Sequence, residues 1–181
     1  MKQRTIKNNA SISGVGIHTG ISTTVTLMPA KANSGIRFIR TDLAGNPIIQ
    51  ANIDNVSSTE RSTNLKQDNA EIKTVEHLLA AVAGASIDNL IITVDNIEIP
   101  ILDGSSKFFS ELITNTGVIE LSENRKFFEI KRRISYKDDE TGTTLIATPA
   151  EEYQIEVKID YDSNKIYLNN KLELFFLNYS Y

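Results

Sequence analysis

Cysteine is absent from the 181 residues, which excludes a disulfide framework and any thiolate-bound zinc. Histidine is scarce: there are only His18 and His77, and none follows. No run of about 18 apolar residues occurs, so no transmembrane segment is expected. The opening MKQRTIKNNASISG has no apolar core of signal-peptide length, and the expected location is cytoplasmic. Positive charge is not in surplus either. With 19 Lys and Arg against 23 Asp and Glu, the net charge is −4, which argues against nucleic-acid binding. Lys131-Arg132-Arg133 is too short a cluster to change that. What remains is the composition of a globular protein, 40% apolar and 23% charged. The length suits one ordinary domain or two small ones.

Residues 3–13 alternate loosely and read as a strand, interrupted by SGVGIHTG (13–20), whose glycines mark a loop needing a positive φ. The β-branched TTVTLMPA (23–30) and the alternating SGIRFIRTD (34–42) predict two strands. LAGNPII (43–49) is a turn, followed by a weaker strand through Ile53 and Val56. Residues 62–74 read as a hairpin turning near Gln67-Asp68-Asn69. Thr74 is then the expected N-cap of a helix carrying Val75, Leu78, Leu79 and Val82 and stopped by Gly84. DNLIITVDN (88–96) reads as a strand buried on both faces. After a bend at Pro100, a second helix starts near Asp103 or Ser105, buries Phe108, Phe109, Leu112 and Ile113, and ends at Gly117.

This order predicts an α+β fold, a two-layer sandwich with both helices on one face of a mostly antiparallel sheet, over residues 1–121. A polar boundary falls at LSENRK (121–126). KFFEIKRRISYKD, GTTLIATPA and YQIEVKIDYD then predict three strands, the first two joined by a turn at 138–142. They open a second sheet with no helix to cover it, so 126–181 is expected to be an incomplete second domain. From residue 164 the tail turns to Asn, Leu, Phe and Tyr. It reads either as another strand pair or as sequence never selected to fold.

Glu76 and His77 sit together at the start of the first helix. A catalytic zinc takes about three protein ligands and keeps one position for water, with a carboxylate near enough to take the water's proton. Helix neighbours point roughly 100° apart, so a ligand and a base side by side can flank one water. The pair alone reads more simply as a surface or satisfied core histidine. His18, in GVGIHTG, lies in a loop whose amides could approach a ligand, but such loops are common turns. The lysine and spacing of a phosphate loop are missing. Asp103 reads as a helix cap.

In combination, SGVGIHTG, TVEHLLAA, DNLIITVDN and EIPILDGSS, in this order, closely resemble the UDP-3-O-acyl-N-acetylglucosamine deacetylase family, the zinc-dependent enzymes of lipid A synthesis. The resemblance runs from residue 3 to near residue 163. It implies two α+β domains with the active site between them. It further implies that Glu76 is the general base, that His77 is a ligand of Zn2+, and that His18 lies close to the site. Residues of STERSTNL (58–65), among them Thr59, Glu60 and Ser62, would contact the substrate, UDP-3-O-acyl-N-acetylglucosamine. In that chemistry zinc activates water and polarises the acetamide carbonyl, Glu76 removes the proton, and acetate leaves a free amine.

The chain also departs from the family. Its remaining zinc ligands, in an H-K-x-x-D helix of the second domain, its further histidine and its acyl-chain passage have no counterpart here. The expectation is therefore a truncated member, inactive by itself, whose tail from 164 is an out-of-frame remnant. The alternatives are an active deacetylase completed by a second chain, a non-catalytic module binding the nucleotide sugar or a partner protein, and an unfolded product.

Overall fold

A computed structural model describes residues 1–151, 153–160 and 171–179. The chain divides into two compact units, Met1–Arg125 and Lys126–Tyr181.

The first unit opens with strands β1 (Lys2–Ile6), β2 (Ala10–Val15), β3 (Ser22–Pro29), β4 (Ile36–Arg40) and β5 (Ile48–Gln50). A single 3-10 turn, Ile53–Asn55, leads into β6 (Val56–Ser58), β7 (Asn64–Gln67) and β8 (Ala70–Ile72). Helix α1 (Glu76–Gly84), β9 (Leu90–Val94), helix α2 (Lys107–Thr116) and β10 (Val118–Asn124) complete it. Five strands form the main sheet in the order β2-β3-β9-β4-β5, antiparallel except between β4 and β9. A three-stranded sheet β6-β7-β8 and the pair β1-β10 stand apart from it.

Strand register explains where the core sits. Val25, Val94 and Arg40 lie opposite one another, and so do Leu27, Ile92, Phe38 and Ile49. These rows are buried together with Leu78, Ala81 and Val82 of α1 and Phe109 and Ile113 of α2. Each large side chain so buried contributes about 1.5–3 kcal/mol. Arg40 is the charged member of the buried row. Its guanidinium grips Asp42 through two bonds of 2.8 and 2.7 Å and also donates to the Glu71 carbonyl.

Several sequence expectations need correction. The strand foreseen over 3–13 is two strands in different sheets: β1 pairs with β10 and β2 with β3, the chain changing sheets across exposed Lys7, Asn8 and Asn9. The weak strand through Ile53 gives way to the 3-10 turn, capped by the Asn52 side chain, which accepts from the Asn55 amide at 3.1 Å. β9 is central in its sheet but fully buried on one face only, because Ile91 and Thr93 lie beside Met28 and Thr26 on the face away from the core rows. Phe109 and Ile113 share the inner stripe of α2, whereas Phe108, about 100° off that stripe, is 40% exposed beside the Lys107 ammonium. α2 starts at Lys107. Asp103 instead closes the turn before it, accepting from the Ser105 amide and hydroxyl, and Ser105 in turn accepts from the Lys107 amide.

The division between the units falls within the polar stretch 121–126, whose residues up to Arg125 belong to the first unit. β10 runs to Asn124 against β1, and Arg125 Nε donates to Asp88 at 2.6 Å while its amide bonds the Met1 carbonyl.

The second unit holds two antiparallel pairs. β11 (Ile134–Lys137) and β12 (Thr144–Ala147) form a hairpin whose turn is organised by Asp138, which accepts from the Glu140 amide at 2.9 Å. β13 (Tyr153–Asp160) pairs with β14 (Lys171–Tyr179), so part of the tail beginning at 164 is strand. Residues 164–170 and 180–181 of that tail lie outside the described residues. Only Ile134–Lys137 of the first expected strand is strand, and Phe127, Phe128, Tyr136 and Leu145 are exposed. Among the described residues this unit has no helix. The architecture is therefore mixed α+β, with several small sheets and two helices, both in the first unit.

Candidate functional site

The site is built where β8 runs out and α1 begins. Thr74 takes a left-handed conformation, φ +60°, uncommon for a β-branched residue. It is not the N-cap expected from the sequence: Val75 holds that position without a side-chain cap. Three interactions account for the Thr74 backbone. Its amide donates to Asn64 Oδ1 at 3.2 Å, its hydroxyl donates to Glu98 Oε1 at 3.0 Å, and the next amide, of Val75, bonds the Thr63 carbonyl at 3.1 Å.

Glu76 and His77 follow as the first residues of α1. Both are half-buried, so the pair is open to solvent on one side. The Glu76 carboxylate accepts the Thr63 amide through Oε2 at 3.0 Å. A carboxylate in the first turn also meets the positive end of the helix dipole. A backbone amide thus holds one oxygen of the carboxylate.

Of the expected substrate-side residues, Ser62 belongs to the same patch. It is buried, and its hydroxyl donates to Asn64 Oδ1 at 3.0 Å, the oxygen that also receives the Thr74 amide. Thr59 and Glu60 lie on the exposed turn before it, where the Glu60 amide bonds Ser58 Oγ at 3.2 Å.

His18 is exposed, and the fold uses its backbone rather than its imidazole. The amides of His18 and Thr19 donate to Glu98, at 3.0 Å to Oε1 and 2.8 Å to Oε2. Successive amides converging on one anion form the kind of nest that elsewhere binds phosphate. Here the anion is the protein's own. Glu98 is fully buried. Burial pushes its carboxyl up, but the amides of His18 and Thr19 and the hydroxyls of Thr19 and Thr74 outweigh that, and it lies below the ordinary glutamate range. Sequence reading missed Glu98. Its one signal was a charge set between Ile97, Ile99 and Pro100, in a stretch that is otherwise apolar.

Among the described residues, no three His, Cys, Asp or Glu side chains gather as a metal-binding group. A catalytic zinc takes about three protein ligands. His77 supplies one imidazole, so these residues by themselves do not fit a zinc ion.

The comparisons with known proteins point in one direction. The family model described as LpxC, UDP-3-O-acyl N-acetylglycosamine deacetylase, matches residues 3–181. The chain belongs to this family. The UDP-3-O-acyl-N-acetylglucosamine deacetylase of Saccharophagus degradans is 41% identical over 175 residues, covering 96% of this chain and 56% of that protein. That of Methylococcus capsulatus is 43% identical over 162 residues, 90% of this chain and 53% of its own length. The bifunctional enzyme LpxC/FabZ of Bacteroides thetaiotaomicron is 42% identical over 166 residues, 92% of this chain and 36% of that protein. The chain thus spans about half the length of the deacetylases it matches and about a third of the bifunctional relative. The family match continues past residue 163 to residue 181, through the stretch that looked unlike the family in sequence.

Proposed function

We propose that this chain carries the base-bearing part of a deacetylase acting on UDP-3-O-acyl-N-acetylglucosamine in lipid A synthesis, in the cytoplasm. The observation that supports it is the Glu76 carboxylate, aimed by the Thr63 amide, half-open to solvent and next to His77. In this reading Glu76 takes a proton from the water that adds to the acetamide carbonyl. The C–N bond then breaks, and acetate and a glucosamine amine are the products. His77 is one donor toward Zn2+. His18, Thr59, Glu60 and Ser62 form the substrate side. The Met1–Arg125 unit is the first domain, and residues 126–181 begin a second domain that they do not complete. In this reading the chain alone does not hold a catalytic zinc, since no three potential ligands gather among its described residues.

The test is a chimera in which residues 1–125 of this chain replace the matching part of the Saccharophagus degradans relative, assayed for bound zinc and acetate release. The chimera is expected to be active. Glu76→Gln should lower turnover about 100-fold or more with zinc retained, the range for losing a general base. His77→Ala should lose the metal. An active chimera indifferent to Glu76→Gln would refute the assignment. Stoichiometric zinc and acetate release by the unaltered chain would overturn only its inactivity alone and would place the missing ligands in a second copy.

A further inference from the structure

We propose that Glu98 is a positioning residue that ties the His18 loop to the start of α1 through one buried carboxylate. The inference rests on the reading that Glu76, His77 and His18 serve one site. Three observations support it. Oε1 of Glu98 receives both the His18 amide and the Thr74 hydroxyl at 3.0 Å, and Oε2 receives the Thr19 amide at 2.8 Å. Residues 97–99 are also bound to Lys73 by backbone: Lys73 N–H reaches the Ile97 carbonyl at 2.8 Å, and Ile99 N–H reaches the Lys73 carbonyl at 3.0 Å. Finally, Gly16 leaves the carboxylate its room, since a Cβ there would stand 2.3 Å from Oε2.

The arrangement has a geometric consequence. Among the described residues no hydrogen bond runs from the His18 loop to α1, and Glu98 is the side chain that meets both the loop amides and Thr74, beside a backbone route from the Val15 carbonyl through Ile101 to Lys73. Thr74 is two residues ahead of Glu76, and its left-handed backbone is held by that same hydroxyl bond. A carboxylate suits this role because each of its two oxygens accepts only, so three donors can converge on one group. A carboxamide offers one such oxygen and turns an NH2 toward the rest.

Amide spectra and hydrogen exchange of the full chain, without metal or substrate, test the tie directly. In Glu98→Gln the amides of His18 or Thr19 should exchange about tenfold faster or more, the loss of one charge-assisted hydrogen bond. The amides of Val75, Glu76 and His77 should shift with them. Glu98→Asp, which keeps two accepting oxygens, should restore part of both effects. Thr74→Val keeps Glu98 and cuts only the link to α1: it should move the Glu76 and His77 signals while His18 and Thr19 stay protected. If Glu98→Gln disturbs the loop amides and leaves Glu76 and His77 unmoved, or if Thr74→Val leaves them unmoved, Glu98 merely closes a loop and the proposal fails. In the active chimera, Glu98→Gln should lower kcat more than it raises KM, and equal kcat would also overturn it. An inactive parent chimera would instead count against the deacetylase reading, with the spectra still deciding the tie.

Discussion

Gly16→Ala is the smallest perturbation that reaches the buried carboxylate. Gly16 is buried, and its φ lies outside the left-handed region, so alanine meets no backbone strain there. What it meets is atoms: the added methyl would stand 2.3 Å from Glu98 Oε2, 2.6 Å from Cδ and 2.7 Å from Thr19 Oγ1. Carbon and oxygen do not approach so closely, so the carboxylate or the loop must move. Overpacking of this kind costs about 1–3 kcal/mol, and each hydrogen bond to a charged acceptor lost in the movement adds about 1.5–3 kcal/mol. A total of about 2.5–6 kcal/mol follows if one such bond breaks. Gly20 provides the control in the same loop. Its φ is +66° and no atom stands within 4 Å of the position of a Cβ, so Gly20→Ala pays only for left-handed backbone, about 1–2 kcal/mol. Urea unfolding followed through amide signals of Leu27 and Ile92, in the core of the first unit, reads both. With a slope of about 2 kcal/mol per molar, the midpoint should fall by about 1.2–3 M for Gly16→Ala and by about 0.5–1 M for Gly20→Ala. Equal midpoints for the two variants, or an unmoved Gly16→Ala, would refute the close approach of Gly16 and Glu98.

Three further outcomes are expected. Phe109→Ala, which empties a fully buried position between helix and sheet, should cost about 3–5 kcal/mol by the same unfolding measurement, whereas Phe108→Ala, one residue away and exposed, should cost under about 1 kcal/mol. Asp42 is held below the usual carboxylate range, first by its hydrogen bonds from Arg40, as Glu98 is by its donors. Stability from these groups is present above the ordinary carboxylate values of 3.8 and 4.5 and is lost as pH falls through the lower folded values, so unfolding midpoints should drop below about pH 4.5, and less steeply in Asp42→Asn. Asp88 accepts both the Arg4 amide at 2.8 Å and Arg125 Nε at 2.6 Å; Asp88→Ala should therefore cost about 2–3 kcal/mol and speed amide exchange along β1 and β10.

Helices and most strands of the first unit were legible because their signal is local. Leu78 and Val82, or Phe109 and Ile113, recur at helical spacing within a few residues, and Thr24 to Leu27 alternate at strand spacing. Errors arose where the outcome depended on a partner far along the chain. Residues 3–13 read as one strand because nothing in them shows that Lys2–Ile6 pairs with Val118–Asn124 while Ala10–Val15 pairs with Ser22–Pro29. Nor does LSENRK show by itself that residues 121–124 are strand against β1, since Arg125 meets Asp88 only once the chain has folded back.

The candidate site shows the same division in sharper form. TVEH was visible as a string, and so was GVGIHTG, but their local hints about what organises them differ. Thr74 carried the signature of a helix cap, and the glycine loop that of a common turn whose amides could approach a ligand. In the fold these two hints cancel into one feature: Thr74 withholds its hydroxyl from the helix and spends it on Glu98, and the loop's amides close on that same carboxylate. Glu98 is 80 residues from His18 and 24 from Thr74, so no window of sequence contains the triangle. A buried charge flanked by apolar residues is the one local trace it leaves, and burying a charge is costly unless several donors meet it. The donors it finds are backbone and hydroxyl groups at the two ends of the site. Other carboxylates in the unit find an arginine instead: Asp42 has Arg40 and Asp88 has Arg125. That difference is why the position reads as a joint between loop and helix and not as one more ion pair.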